Sequence, residues 1–180
     1  MQGLPFFYNI KTSNRKTMKK YIFFIVLLGL GTACSTKLDK GSQAPDFELV
    51  DVEGLNQRLS KQRGKVVMVH FWTDFCNACR AEFPKIQTYY ETLQSDDFEL
   101  LAINVGQPLS VSKDFQEEFG ASFPMLADIE GKMKSIYQIN AFPTNYFVDP
   151  EGNIIRKIVG WVSEKQVEII INQHKNKRNG

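Results

Sequence analysis

Of the 180 residues, 22 are basic and 20 acidic, a formal charge of +2, but the surplus is local: Lys11, Arg15, Lys16, Lys19 and Lys20 precede Cys34 and no acidic residue does. The 147 residues from Cys34 onward carry 17 basic and 20 acidic side chains, a net charge of −3, which excludes the basic patch that a nucleic-acid partner needs. That length suits one domain with a proper core, and no internal repeat or low-complexity run divides it.

Residues 1–17 are polar to mixed, and Met18 is an alternative start. From there Lys19-Lys20, an apolar run from Tyr21 to Leu28, and small residues up to Ala33 read as a bacterial export signal over residues 1–33. The run is short and glycine-broken for a transmembrane helix. Its end resembles a lipoprotein processing box, in which cleavage exposes a cysteine for diacylglycerol attachment; Cys34 is the candidate lipidation site. Gly31 stands where that box usually carries Leu, with Leu30 one place further back, so an uncleaved anchor and simple secretion are the alternatives. Lipidation would account for the odd cysteine of the three and leave Cys76 and Cys79 as a pair. Residues 34–42 form a short polar tether, residues 43–175 the domain and residues 176–180 a polar tail.

Ala44 to Val50 alternates polar and apolar residues like a strand, and Val52-Glu53-Gly54 turns it into a second short strand ending near Leu59. Lys65 to His70 has an unbroken apolar, β-branched core and reads as a buried strand continuing to Trp72. Residues 76–93 suit a helix packed on one side, through Ala81, Ile86, Tyr89, Tyr90 and Leu93, with Pro84 expected to kink it near Arg80. Cys76 thus stands where strand gives way to helix. Backbone N–H groups without helical partners and the positive end of the helix dipole point there, which lowers a thiol's pKa below its free value of about 8.5. The two-residue gap brings Cys79 round one turn, within reach of a mixed disulfide on Cys76. That is the geometry of a dithiol redox centre.

The competing readings of Cys76-x-x-Cys79 are weaker. Half a zinc site needs two further ligands, and Cys34, His70 and His174 are the only candidates, the first in the export segment and the last near the terminal tail. Haem attachment needs His after the second cysteine, where Arg80 stands. A structural disulfide would close too short a loop to stabilise much by chain entropy.

Further on, Phe98 to Val105 is a buried strand bounded by Gly106 and Pro108, and Ser112 to Phe119 a helix with Ser110 or Ser112 as its N-cap and Gly120 as its stop. Phe123 to Ala127 is a short strand and Lys132 to Ile139 another helix. Asn145 to Asp149, the turn Pro150-Glu151-Gly152-Asn153, and Ile154 to Val159 make a hairpin. Ser163 caps a last helix, with Lys175 beyond its end. Helices alternating with strands, then a hairpin and a helix, give a mixed sheet between helices.

Ala44-Pro45-Asp46-Phe47, Gly64-Lys65, Phe71-Trp72, Cys76-x-x-Cys79-Arg80-x-Glu82-x-Pro84, Ala141-Phe142-Pro143-Thr144 and Phe147-Val148-Asp149-Pro150-Glu151-Gly152 together resemble the TlpA/ResA group of the AhpC/TSA–redoxin superfamily. These are thioredoxin-fold thiol–disulfide oxidoreductases of the bacterial envelope, and the likeness spans roughly residues 43–172. It implies an α/β thioredoxin-like three-layer sandwich: a mixed central sheet with helices on both faces, an N-terminal β-hairpin, and an inserted helix–strand element for which residues 110–139 have room. It implies that Pro143 is a cis-proline facing the dithiol, with Phe75 and Phe142 beside it in the substrate groove. It also places Glu82 near the thiols, on the helical face of Cys79, where it tunes them and exchanges a proton; a solvated helix residue is the alternative. Trp72 supports the site from the strand.

Four positions depart from the pattern. His70 occupies the place of a buried Asp in thioredoxins, either as proton acceptor or as a core histidine satisfied by a neighbour. Phe75 replaces Trp and keeps an apolar wall without the indole donor. Asn77-Ala78 lacks the proline often found between the cysteines, a pair that helps set a potential ranging in this fold from about −270 to −120 mV. Phe142 is larger than the residue usual before the cis-proline. The expectation is a monomeric, membrane-tethered oxidoreductase of the periplasmic side that reduces protein disulfides, in cytochrome c maturation by family analogy. It needs an electron donor the sequence does not name, and no cofactor or metal beyond its redox-active disulfide. A peroxiredoxin-like peroxidase is the enzymatic alternative: Thr73-x-x-Cys76 fits, but Val69 stands where Pro is expected. A client-binding module with little turnover is the other.

Overall fold

In a computed structural model of the chain, residues 37–95 and 97–178 are described; the export segment and Cys34 lie outside them. In chain order they form β1 (Glu48–Val50), β2 (Asn56–Arg58), a 3-10 turn (Leu59–Gln62), β3 (Val66–Trp72), α1 (Asn77–Leu93), β4 (Phe98–Val105), α2 (Leu109–Phe119), β5 (Met125–Asp128), α3 (Lys132–Ile136), β6 (Thr144–Val148), β7 (Ile154–Val159) and α4 (Glu164–Arg178).

Every residue of β3 is buried, because both faces of the strand are covered. It lies mid-sheet in the order β5-β4-β3-β6-β7, parallel to β4 and antiparallel to β6. Side chains alternate across it. Val66, Met68 and Trp72 enter one apolar layer with Cys79, Phe83 and Ile86 of α1, Phe115 of α2 and Val167, Ile170 and Ile171 of α4. Val67, Val69 and Phe71 enter the other, with Met133 of α3, Tyr137, and Phe47 and Leu59 of the N-terminal segment. The result is the expected thioredoxin-like α/β sandwich with its N-terminal hairpin, and with α2 and β5 as the inserted helix and strand.

The sheet edges are partly covered. The Val52 N–H donates to the Met125 carbonyl at 3.0 Å, tying the β1–β2 hairpin to β5. Gly41 and Ser42 exchange hydrogen bonds of 2.8 Å each with Ile154 at the start of β7, so the folded body takes in the last residues of the tether.

Several boundaries differ from the sequence reading. Ala44 to Phe47 is not strand; Ala44 and Phe47 are buried, but the ladder begins at Glu48. The strand expected from Phe123 begins at Met125, where pairing with Ala102 starts. Helix α2 starts three residues earlier than predicted, with Pro108 at the N-cap; neither Ser110 nor Ser112 caps it. Ser112 is buried, and its hydroxyl donates to the Leu126 carbonyl at 3.2 Å. Helix α3 is shorter, because Gln138 takes a positive φ of 50°. Helix α4 runs past Lys175 to Arg178. Ser163 caps it as expected, and within a capping box: Gln166 Oε1 accepts from the Ser163 N–H at 3.0 Å while Ser163 Oγ accepts from the Gln166 N–H at 3.4 Å.

Candidate active site

Cys76 is the N-cap of α1, with extended φ and ψ of −91° and 99°, and its sulfur accepts the Cys79 N–H at 3.0 Å. A disulfide joins Cys76 to Cys79, their Cα atoms 5.2 Å apart. Cys76 is half-buried, whereas Cys79 is fully buried under the helix. Once the bond is reduced, the N–H group and dipole that face Cys76 favour its thiolate, and its exposure lets a partner sulfur reach it. Helix α1 continues without a break through the exposed Pro84.

The loop before Cys76 is held from β4. Asn104, fully buried, donates from Nδ2 to Gln107 Oε1 at 2.9 Å. The same Gln107 oxygen accepts the Asp74 N–H at 3.1 Å, and Gln107 Nε2 donates to the Asp74 carboxylate at 2.6 Å. None of these three residues was singled out from the sequence. A polar pair such as Asn104 and Gln107, closing a buried strand, was the available signal.

The Phe142–Pro143 peptide bond is cis, as expected. The pairing of Phe71 with Thr144 puts Pro143 level with Trp72, where the chain leaves β3 for the cysteines. Phe142 is half-buried. Phe75 is 84% exposed and stands next to Cys76 in the chain. Trp72 is buried, its ring centroid 4.9 Å from Phe83 and 4.3 Å from Phe115, so it fixes α1 and α2 to the sheet.

Glu82 is not a solvated helix residue. It is 2% exposed, and one carboxylate oxygen accepts the Val162 N–H at 3.0 Å while the other has no partner among the described residues. Burial pushes its pKa up to about 7, against the smaller opposing pull of the Val162 N–H and of Lys85. His70 lies on the same sheet face, its ring 5.6 Å from that of Phe83, and Nδ1 is 2.7 Å from Asn145 Oδ1. Asn145 in turn donates from Nδ2 to the Gly160 carbonyl at 3.0 Å, so its oxygen faces His70 and receives the Nδ1 proton. Burial holds the His70 pKa down at about 4, leaving the ring neutral. Asn145 satisfies Nδ1, as the core-histidine reading expects, while the buried Nε2 has no partner among the described residues, so both readings of His70 stand. The partner, Asn145, was missed, although Asn inside an otherwise apolar strand was a signal.

The structure therefore places Cys76, Cys79, Phe142 and Pro143 where β3 gives way to α1, with Phe75 exposed next to Cys76, Glu82 one helical turn beyond Cys79, and His70 and Trp72 buried in β3. A disulfide-bonded pair with one reachable and one shielded sulfur, followed one helical turn on by a buried acid whose pKa is pushed up to about 7, can exchange disulfides and hold the accompanying proton.

A model of the AhpC/TSA family matches residues 40–157. The thiol–disulfide oxidoreductase ResA of Geobacillus kaustophilus is 34% identical over 167 residues, covering 88% of this chain and 95% of its own. Among solved structures, a Chlorobium tepidum chain described as a thiol:disulfide interchange protein DsbE has a TM-score of 0.68 and 27% identity, covering 80% of this chain and all of that one. The exposed lipoprotein thioredoxin of Streptococcus pneumoniae has a TM-score of 0.61 and 27% identity, covering 72% of this chain and 99% of its own.

Proposed function

The chain belongs to the AhpC/TSA family, and from that premise we propose that it is an envelope thiol–disulfide oxidoreductase running in the reducing direction on protein disulfides. The observation that carries the reading is the asymmetry of the Cys76–Cys79 pair, half-buried against fully buried, at the N-terminus of α1.

The Cys76 thiolate attacks a client disulfide, forming a mixed disulfide and releasing one client thiolate. Cys79 then loses its proton and attacks Cys76 Sγ, which closes the Cys76–Cys79 bond and releases the second client thiolate. The client gains two electrons and, in water, two protons; the electrons return to the dithiol from a separate thiol donor. Glu82, on the buried face with Cys79 and ionising near pH 7, accepts the Cys79 proton. The backbone beside Pro143, together with Phe142 and Phe75, offers the client an extended segment to pair with. No cofactor enters this scheme.

Anchoring at Cys34 and a periplasmic setting are the matching proposals for location. They rest on the sequence before Cys34 and on likeness to a lipoprotein thioredoxin. No helix among the described residues is long and apolar enough to cross a membrane. Maturation of cytochrome c is the client setting suggested by the resemblance.

The test is reduction of insulin by the domain with dithiothreitol as donor. We expect turnover that Cys76→Ser abolishes and a stable mixed disulfide with Cys79→Ser. Capture of insulin without turnover would establish the client-binding module instead, and faster consumption of hydrogen peroxide than of insulin would establish the peroxidase.

A further inference from the structure

Trp161 is 54% exposed, an unusual place for so large an apolar surface, and the backbone on both sides of it is fastened. On one side the Gly160 N–H donates to the Pro143 carbonyl at 2.8 Å, and the Gly160 carbonyl accepts from Asn145 Nδ2 at 3.0 Å. Gly160 has a φ of 93°, which suits glycine and swings the chain out of β7. On the other side Val162 is fully buried, and its N–H is held by Glu82 at 3.0 Å. The indole therefore stands on a backbone base tied to the cis-proline and to the buried Glu82 carboxylate of α1. The Lys85 ammonium, on α1, sits 5.3 Å from the ring centroid and flanks it.

We propose that Trp161 is a specificity-determining residue, receiving an apolar side chain of the client segment that Cys76 has attacked. The proposal rests on the dithiol reading above. Its occupant follows from continuity with the client groove proposed above: the client pairs beside Pro143, and the Pro143 carbonyl holds the Gly160 N–H at 2.8 Å. Lys85 is nine residues beyond Cys76, about 13 Å along the helix, and an extended client covers that distance in about four residues. Trp161 thus reads a client position two to four residues from the reacting cysteine. Because the backbone on both sides of the indole is already fastened, little further backbone ordering opposes binding, and the indole is a favoured anchor at protein interfaces.

The experiment uses cysteine peptides as disulfides, with a single Phe walked through the four positions on either side of the cysteine, against an all-Gly peptide. For the parent we expect kcat/KM to be about two- to tenfold higher for the best Phe peptide than for the Gly peptide. Trp161→Ala should bring that ratio close to one, and Trp161→Phe should keep most of it. A ratio unchanged in Trp161→Ala would overturn the proposal. As an independent reading, Trp161 and the buried Trp72 are the chain's two tryptophans, so acrylamide quenching reports mainly on Trp161. In Cys79→Ser, linking the Phe peptide should reduce quenching more than linking the Gly peptide. Equal quenching in both would also overturn it. So would protection that grows with protein concentration in the absence of peptide, because a second copy would then cover Trp161. Failure of the parent to reduce any peptide sinks the reductase reading, and this one with it. Turnover of all peptides with no preference sinks only the role of Trp161.

Discussion

Glu82 and His70 share one layer beneath the dithiol, and burial moves both toward their neutral forms. Their effects on stability run in opposite directions with pH. The Glu82 pKa rises from 4.5 to about 7 on folding, so between those values the native state holds a proton that the unfolded state has lost. Stability from this group is present at low pH and falls as pH rises to 7, with a limiting slope of about 1.4 kcal/mol per pH unit. The His70 pKa falls from 6.5 to about 4, so over that window the unfolded state holds the extra proton. Stability from this group is lost as pH falls from 6.5 to 4. Denaturant unfolding of the oxidised domain between pH 4 and 7.5 should therefore show a shallow profile in the parent. Glu82→Gln should expose the rise with pH that His70 causes, and His70→Asn the fall that Glu82 causes. Parallel profiles for all three proteins would show that neither group is shifted by folding. For the reaction, removing a negative charge near the thiols lets them ionise at lower pH. Glu82→Gln should shift the pH profile of alkylation downward, by peptide mapping of the reduced protein. A profile that overlays the parent's would remove Glu82 from the mechanism.

At the scale of elements, the decisive joint is the turn from β3 into α1. Gln107 binds both the amide and the carboxylate of Asp74 and is itself held by Asn104. Gln107→Ala leaves a half-buried N–H and carboxylate without these partners, and should lower stability by about 1–3 kcal/mol. Faster hydrogen exchange should be confined to the amides around Asp74 and Cys76. Exchange that stays at the parental rate there would show that α1 alone fixes the loop. The sequence made β3, α1 and β4 legible because each couples a long apolar pattern to a clear break, and α1 even carries its cap in the motif. It also made the Ser163 cap of α4 legible, because a cap is a local feature, though the Gln166 half of the capping box went unread. What it hid is non-local. The Asp74 clamp joins residues 33 apart in sequence, and the Glu82 bond to Val162 joins residues 80 apart. The start of α2 was misplaced for a related reason: Ser112, which looked like a cap, spends its hydroxyl on the Leu126 carbonyl across the packed layer. Phe75 was read as an apolar wall because it stands where the family carries Trp; how far the side chain projects, 84% exposed, was not legible from that likeness.

For the molecule as a whole, the question is how close to a membrane the dithiol works. Gly41 is already hydrogen-bonded to β7, so only seven residue steps separate the folded body from Cys34. Even fully extended, those steps span no more than about 25 Å, shorter than the domain is wide. With a lipid on Cys34, the domain would ride on the bilayer surface and meet clients only as they emerge there. The net charge of −3 from Cys34 onward supplies no general attraction to anionic headgroups, so retention would depend on the acyl chains. This gives the anchor a sharp test. In the parent, a fatty-acid tracer should label the protein and fractionation should leave it with membranes. Cys34→Ala should abolish the label and, if processing at the signal still occurs, move the protein to the soluble fraction. Insulin reduction by the released domain should then persist, since no residue of the dithiol centre lies before Gly41. Labelling that survives Cys34→Ala would overturn the lipoprotein reading. Membrane retention without any label in the parent would leave an uncleaved segment from Met18 to Leu30 as the anchor.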